Sequence, residues 1–171
     1  MSNLREPLSS AALSSLEWSP IVERTIDRVA ASGKAPRLGL DIWKAAYGLE
    51  SKAFNDAIEA LTEAYLGRYK RESPELAAKI CEQIVGEYIA QFCISCQGSR
   101  EVMCGDLKVI CNDCAGSGVR KYTDAERARM MKISFGLVCA IRHKFSWAYN
   151  HLSENDKAVN IVMVRELERN I

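Results

Sequence analysis

Cys93-Ile-Ser-Cys96 and, after fourteen intervening residues, Cys111-Asn-Asp-Cys114 decide how this chain is read. Each is a Cys-x₂-Cys pair, and two such pairs at hairpin separation supply four thiolates for one tetrahedral ion, the donor set that structural zinc takes. Glycines follow the knuckles. Cys114-Ala-Gly116-Ser-Gly118 has the form C-x-G-x-G, in which glycines permit tight turns and let backbone amides point at the sulfurs. The first pair continues Cys96-Gln-Gly98, but Arg100 stands where the second glycine would fall. The expected cofactor is therefore one structural Zn²⁺ per chain, held by Cys93, Cys96, Cys111 and Cys114. With four thiolates bound, such an ion keeps no open position for water or substrate. A redox dithiol and a catalytic site are the competing readings.

The texture around the pairs supports a small inserted module. Residues 93–118 hold five cysteines and four glycines, show no helical period, and turn at Gly105-Asp106 within an extended stretch from Arg100 to Ile110. That pattern predicts a hairpin with Cys104 near its tip as a spectator. Cys81 and Cys139 fall in predicted helices, where a cysteine behaves as a small buried residue. An odd total of seven cysteines disfavours a disulfide framework.

Outward from the module, the chain reads as helices. Val22, Ile26, Val29 and Ala30 recur at helical spacing after Pro20 and before Gly33. A short helix is expected over Leu40–Tyr47, closed by Gly48. Another runs from Ser51 to about Tyr69, with Phe54, Ala57, Ile58, Leu61, Ala64 and Tyr65 on one face. Ser73 caps a fourth, with Pro74 at its first position and Leu76, Ile80, Ile84, Tyr88 and Phe92 along it. After the module, Thr123-Asp124-Ala125-Glu126 forms a capping box for a helix to about Lys132. Ser134 opens the next, through Leu137, Ile141, Phe145 and Ala148 towards Leu152, and Ser153 opens a terminal helix carrying Val159, Val162 and Leu167. The expected fold is mainly α: a helical bundle with an inserted four-cysteine zinc hairpin and a C-terminal region resembling a helix-turn-helix. Its expected parts are a flexible N-terminal arm (1–19), a helical body (20–92), the zinc hairpin (93–118) and a C-terminal helical DNA-binding region packing on the body (119–171).

Composition narrows the function classes. A chain of 171 residues with 48% hydrophobic and 26% charged residues suits one compact unit with a small insertion. No apolar run reaches the length of a membrane span, and residues 1–19 lack a secretory pattern, so a cytoplasmic protein is expected. Nucleotide-binding loops, nucleophile elbows and H-E-x-x-H are absent from the sequence, which reads as non-enzymatic. His143 and His151 both lie in the predicted basic helix, as surface or DNA-facing groups.

The net charge of +1 hides a segregation: residues 119–151 carry seven Lys and Arg against Asp124 and Glu126. Such a stretch is either the footprint of an anionic partner or a solvated helix face. A capped helix, a short break and a second basic helix fit a helix-turn-helix, whose second helix enters the major groove. On that reading Arg142, His143 and Lys144 form a donor cluster about two turns into the second helix, while Arg127, Arg129 and Lys132 meet the backbone. The same residues also fit a pair of ordinary surface helices.

Cys93-Ile-Ser-Cys96-Gln-Gly98, then Cys111-Asn-Asp-Cys114-Ala-Gly116-Ser-Gly118 followed at once by a capped helix, resemble the lambda-type Q antitermination proteins of lambdoid bacteriophages. Glu87-Tyr88-Ile89-Ala90-Gln91-Phe92 is similar to that family's helix just before its zinc module, and the resemblance covers about residues 76–171. It implies binding to a DNA element in a phage late promoter and engagement of the bacterial host's RNA polymerase, paused with sigma still bound. Read-through of terminators into the late genes is the implied outcome. The resemblance places the zinc on the same four cysteines and DNA binding at about residues 123–151. Two other classes remain. One is a zinc-containing promoter-binding repressor or activator. The other is a chaperone-like zinc module, because C-x-G-x-G knuckles also occur in J-domain co-chaperones, although these carry four pairs and a His-Pro-Asp tripeptide that this chain lacks.

Overall fold

A computed structural model describes residues 29–30, 33–46, 52–90, 93, 95–105 and 107–168. The expected N-terminal arm, most of the helix expected from Pro20, the helix closure at Tyr47-Gly48, and Phe92 and Asp106 lie outside them. Chain order is α1 (Arg37–Ala46), α2 (Ala53–Arg68), α3 (Pro74–Ile89), β1 (Glu101–Cys104), β2 (Leu107–Ile110), α4 (Asp124–Met131), α5 (Phe135–Ala140) and α6 (Arg142–Glu168). Among the described residues, 90–123 form one compact unit and the rest another.

The larger unit is helical. Ser73 starts α3 as its spacing predicts, accepting the Leu76 amide at 3.2 Å ahead of Pro74, which satisfies one of the donors a helix N-terminus leaves open. The apolar stripes then meet. Ala57, Leu61 and Tyr65 of α2, Ile80, Ile84 and Val85 of α3, and Phe145, Ala148 and Leu152 of α6 share one buried cluster. Helix α1 packs on α2 and α6, α3 packs on α2 and α6, and α4 lies on α3. Gly39 lets α1 approach α6 closely, because a Cβ there would sit 2.5 Å from both the Asn155 carbonyl oxygen and Val159 Cγ2.

Two boundaries after the module differ from the sequence expectation. The helix expected from Ser134 to Leu152 is two helices. Ser134 does cap α5, accepting the Leu137 amide at 3.2 Å, but Ile141 leaves helical geometry (φ −99°, ψ 11°) and α6 begins at Arg142. No proline or glycine marks this break. Val138, Ile141, Phe145 and Ala148 are all buried on either side of it, so the helical period runs on across a one-residue interruption. The helix expected to open at Ser153 does not start there, since α6 is continuous for 27 residues. Within that continuous helix, Asp156 occupies a part-buried, core-facing position. Its carboxylate accepts the Trp43 indole N–H at 2.8 Å and the Tyr88 hydroxyl at 2.7 Å, joining α1 and α3 to α6. Burial raises the Asp156 pKa, and these two donors offset part of that cost.

The smaller unit is a two-stranded antiparallel hairpin with its flanking knuckles. Glu101 pairs with Ile110, Val102 with Val109, Met103 with Lys108 and Cys104 with Leu107. The connection is therefore two residues long, as the Gly105-Asp106 pair suggests, and Gly105 takes the positive φ (+63°) that such turns demand. Met103, Leu107, Val109 and Ile110 are exposed, so the strands themselves bury little. The buried cluster of this unit consists of the four knuckle cysteines with Val102 packed against them.

Candidate metal centre

The two knuckles are copies of one another, offset by eighteen residues. In each, the serine three positions after the second cysteine donates its amide and hydroxyl to that cysteine's carbonyl. Ser99 does so to Cys96 at 2.9 and 2.6 Å, and Ser117 to Cys114 at 3.1 and 2.7 Å. The backbone follows the same path: Gln97 and Ala115 both have φ +50°, Gly98 and Gly116 have +85° and +75°, and Arg100 and Gly118 have +70° and +75°. Arg100 thus keeps the left-handed conformation of the glycine it replaces, at a cost of about 1–2 kcal/mol for an L-residue.

Reciprocal backbone bonds lock the copies together. The Cys93 amide donates to the Gly118 carbonyl at 2.9 Å, and the Cys111 amide to the Arg100 carbonyl at 3.0 Å. The x-x residues join too, with the Ser95 hydroxyl donating to the Asp113 carboxylate. Gly118 leaves no room for a side chain: a Cβ would lie 2.8 Å from the Gly98 carbonyl oxygen.

This frame brings all four sulfurs inside. Cys93, Cys96, Cys111 and Cys114 are free thiols, each no more than 6% exposed. Their sulfurs all lie within 4.8 Å of one another. The cross-knuckle distances are 3.8 Å for Cys93–Cys111 and 3.7 Å for Cys96–Cys114. Burial opposes ionisation of Cys114, but the Gly118 amide, which donates to its Sγ at 3.3 Å, and the neighbouring thiols lower its pKa. A buried set of four sulfurs this close together is compatible with a bound metal ion. Among the described residues it is the one group of this kind. Cys104 is exposed on β1, outside the cluster, and burial pushes the thiol of Cys81 in α3 up to about 11.

The six basic candidates sit in the helical unit and have different surroundings. Arg127 is committed inward. Its guanidinium grips the nearly buried Glu87 of α3 through two bonds, at 2.8 and 2.6 Å, and lies 5.1 Å from the Phe145 ring centre. Arg142 pairs with Asp124 and Lys144 with Glu72. Both stand, with His143, in the first turn of α6 rather than two turns into a helix opened at Ser134. The six residues of α5 (Phe-Gly-Leu-Val-Cys-Ala) carry no cation. Arg129, Lys132 and His143 are exposed. His151, half-buried, stacks on Trp147 with ring centres 5.1 Å apart.

Searches against protein-family models, characterised proteins and solved structures find no match to this chain.

Proposed function

We propose that the chain is a zinc-containing late-gene antitermination factor of a bacteriophage, acting in the host cytoplasm and without enzymatic activity. The single supporting observation is the sulfur cradle. Zinc–thiolate bonds of about 2.3 Å set the edge of a regular tetrahedron at about 3.8 Å, and the knuckles hold cross-pairs at 3.8 and 3.7 Å. A unit whose buried residues are cysteines has little apolar surface with which to fold, and small domains of that kind depend on a crosslink or an ion. Cys93, Cys96, Cys111 and Cys114 would hold the ion; its role is structural.

The setting of the cradle, between a long helix and a cation-bearing helical segment in chain order, is the one in which the resemblance to lambda-type Q proteins lies. On this reading the segment from 123 to 151 meets the late-promoter element. The exposed Arg129, Lys132 and His143 are its outward donors, Arg127 holds the segment to α3, and the protein then engages sigma-bound, paused RNA polymerase. No helix among the described residues is long and apolar enough to cross a membrane.

Transcription in vitro through a terminator, on the cognate late-promoter template with and without the protein, tests the proposal. Increased transcript beyond the terminator at unchanged initiation is the expected result. A change in initiation alone would replace it with a promoter-binding repressor or activator.

A further inference from the structure

The turn between α2 and α3 carries Arg68-Tyr69-Lys70-Arg71-Glu72, three cations in four residues, outside the basic stretch that the sequence reading singles out. The fold brings this turn against the start of α6. Arg68, Tyr69, Lys70, Arg71, Glu72 and Lys144 line an open cavity of about 400 Å³. Arg68, Lys70 and Arg71 are exposed, while Glu72 is nearly enclosed, held by Lys144 and by the Tyr65 hydroxyl, which donates to it at 3.2 Å. Four cations against one carboxylate leave this one site more positive than the whole chain's +1.

Two of these cations, Arg68 and Lys144, stand on a rigid base. Tyr69 closes α2, its amide bonded to the Tyr65 carbonyl at 2.8 Å, and its ring packs edge-on to Trp147 at 5.6 Å. Arg68 lies 5.8 Å from the centres of both rings, and Lys144 lies 5.4 Å from that of Tyr69. Their stems are thus pre-ordered, which lowers the entropy lost when an anion binds.

We infer that this cluster grips consecutive phosphates of duplex nucleic acid. It is a second contact surface, and it rests only on the DNA-binding half of the function proposed above. Several cations around an open cavity suit a polyanion. The rings decide between duplex and single strand. A single-stranded partner needs open aromatic faces on which bases stack. Here Trp147 is stacked on His151, and Tyr69 is flanked by Arg68 and Lys144, so Arg68, Lys70 and Arg71 are offered and the rings are not.

The test is fluorescence anisotropy of the full chain with a labelled 20-bp DNA duplex of arbitrary sequence, and with single-stranded RNA of equal length, across a salt series. Each phosphate contact contributes about 0.9 to the slope of log K against log salt. The Arg68→Gln/Lys70→Gln/Arg71→Gln variant, altered only at exposed positions, should therefore lose about 2–3 from the duplex slope, and its affinity near 0.1 M salt should fall at least tenfold. Duplex binding and slope equal to wild type would overturn the inference. So would a loss confined to the single-stranded RNA arm, which would make a single strand the occupant. If the wild-type chain binds no duplex even at low salt, this inference and the DNA-binding half of the function both fall. Normal duplex loss in the variant together with absent terminator read-through by the wild type would sink the transcriptional reading alone.

Discussion

Replacing Arg127 by alanine strands a carboxylate. Glu87 has a side chain only 4% exposed, and two bonds from Arg127 offset the cost of keeping its charge out of water. Removing one partner of a buried pair costs about 3–5 kcal/mol, because the other charge stays buried and uncompensated. Two features move the estimate in opposite directions. Gln83 still donates to Glu87 at 2.8 Å, which lowers the cost, and the guanidinium's contact with the Phe145 ring is lost, which adds to it. About 3–4 kcal/mol remains, equivalent to a drop in melting temperature of roughly 10 °C for a chain of this size. Urea unfolding followed by far-ultraviolet circular dichroism, with a thermal melt beside it, measures both. Glu87→Gln/Arg127→Met removes both charges and should return to within about 1 kcal/mol of wild type. A loss below about 1 kcal/mol in Arg127→Ala, accompanied by collapse of DNA binding, would refute the reasoning and turn the guanidinium outward towards phosphate.

Further outcomes are expected. Purified protein should carry about one zinc per chain by elemental analysis. Stripping it with a chelator, or changing Cys111→Ser, should abolish hydrogen-exchange protection in residues 93–118, while most helical signal persists because the helical unit has its own core. Gly118→Ala should weaken metal affinity at least tenfold in chelator competition, since it adds left-handed strain and a 2.8 Å contact. Arg100→Gly should instead tighten affinity severalfold by relieving that strain at the equivalent position. Gly39→Ala should cost about 2–3 kcal/mol in urea unfolding, because α1 and α6 must separate to admit a methyl group 2.5 Å from the Asn155 carbonyl.

Local chemistry explains which parts were legible in the sequence. The two Cys-x₂-Cys pairs, the Ser73-Pro74 helix start, the hairpin turn at Gly105 and the stripes of α2 and α3 each follow from residues adjacent in the chain or one turn apart. The break at Ile141 did not announce itself, since the buried positions on both sides keep one helical period. Ser153 opens no helix either, because α6 runs through it, Asp156 included. What makes Asp156 acceptable there is a pair of donors, Trp43 and Tyr88, contributed by other helices.

Sequence by itself determined which four cysteines come together, because two Cys-x₂-Cys pairs on a hairpin need only residue type and spacing, and it determined the helical class, because periodicity is a property of the chain. Only the tertiary structure decided what each cation does. Arg127, Arg142 and Lys144 look alike in a basic stretch, yet each meets a carboxylate from another element, at Glu87, Asp124 and Glu72. Arg68, Lys70 and Arg71, remote in sequence, stand beside Lys144. Charge acts through space with a strength set by distance and burial, and neither quantity is written along the chain.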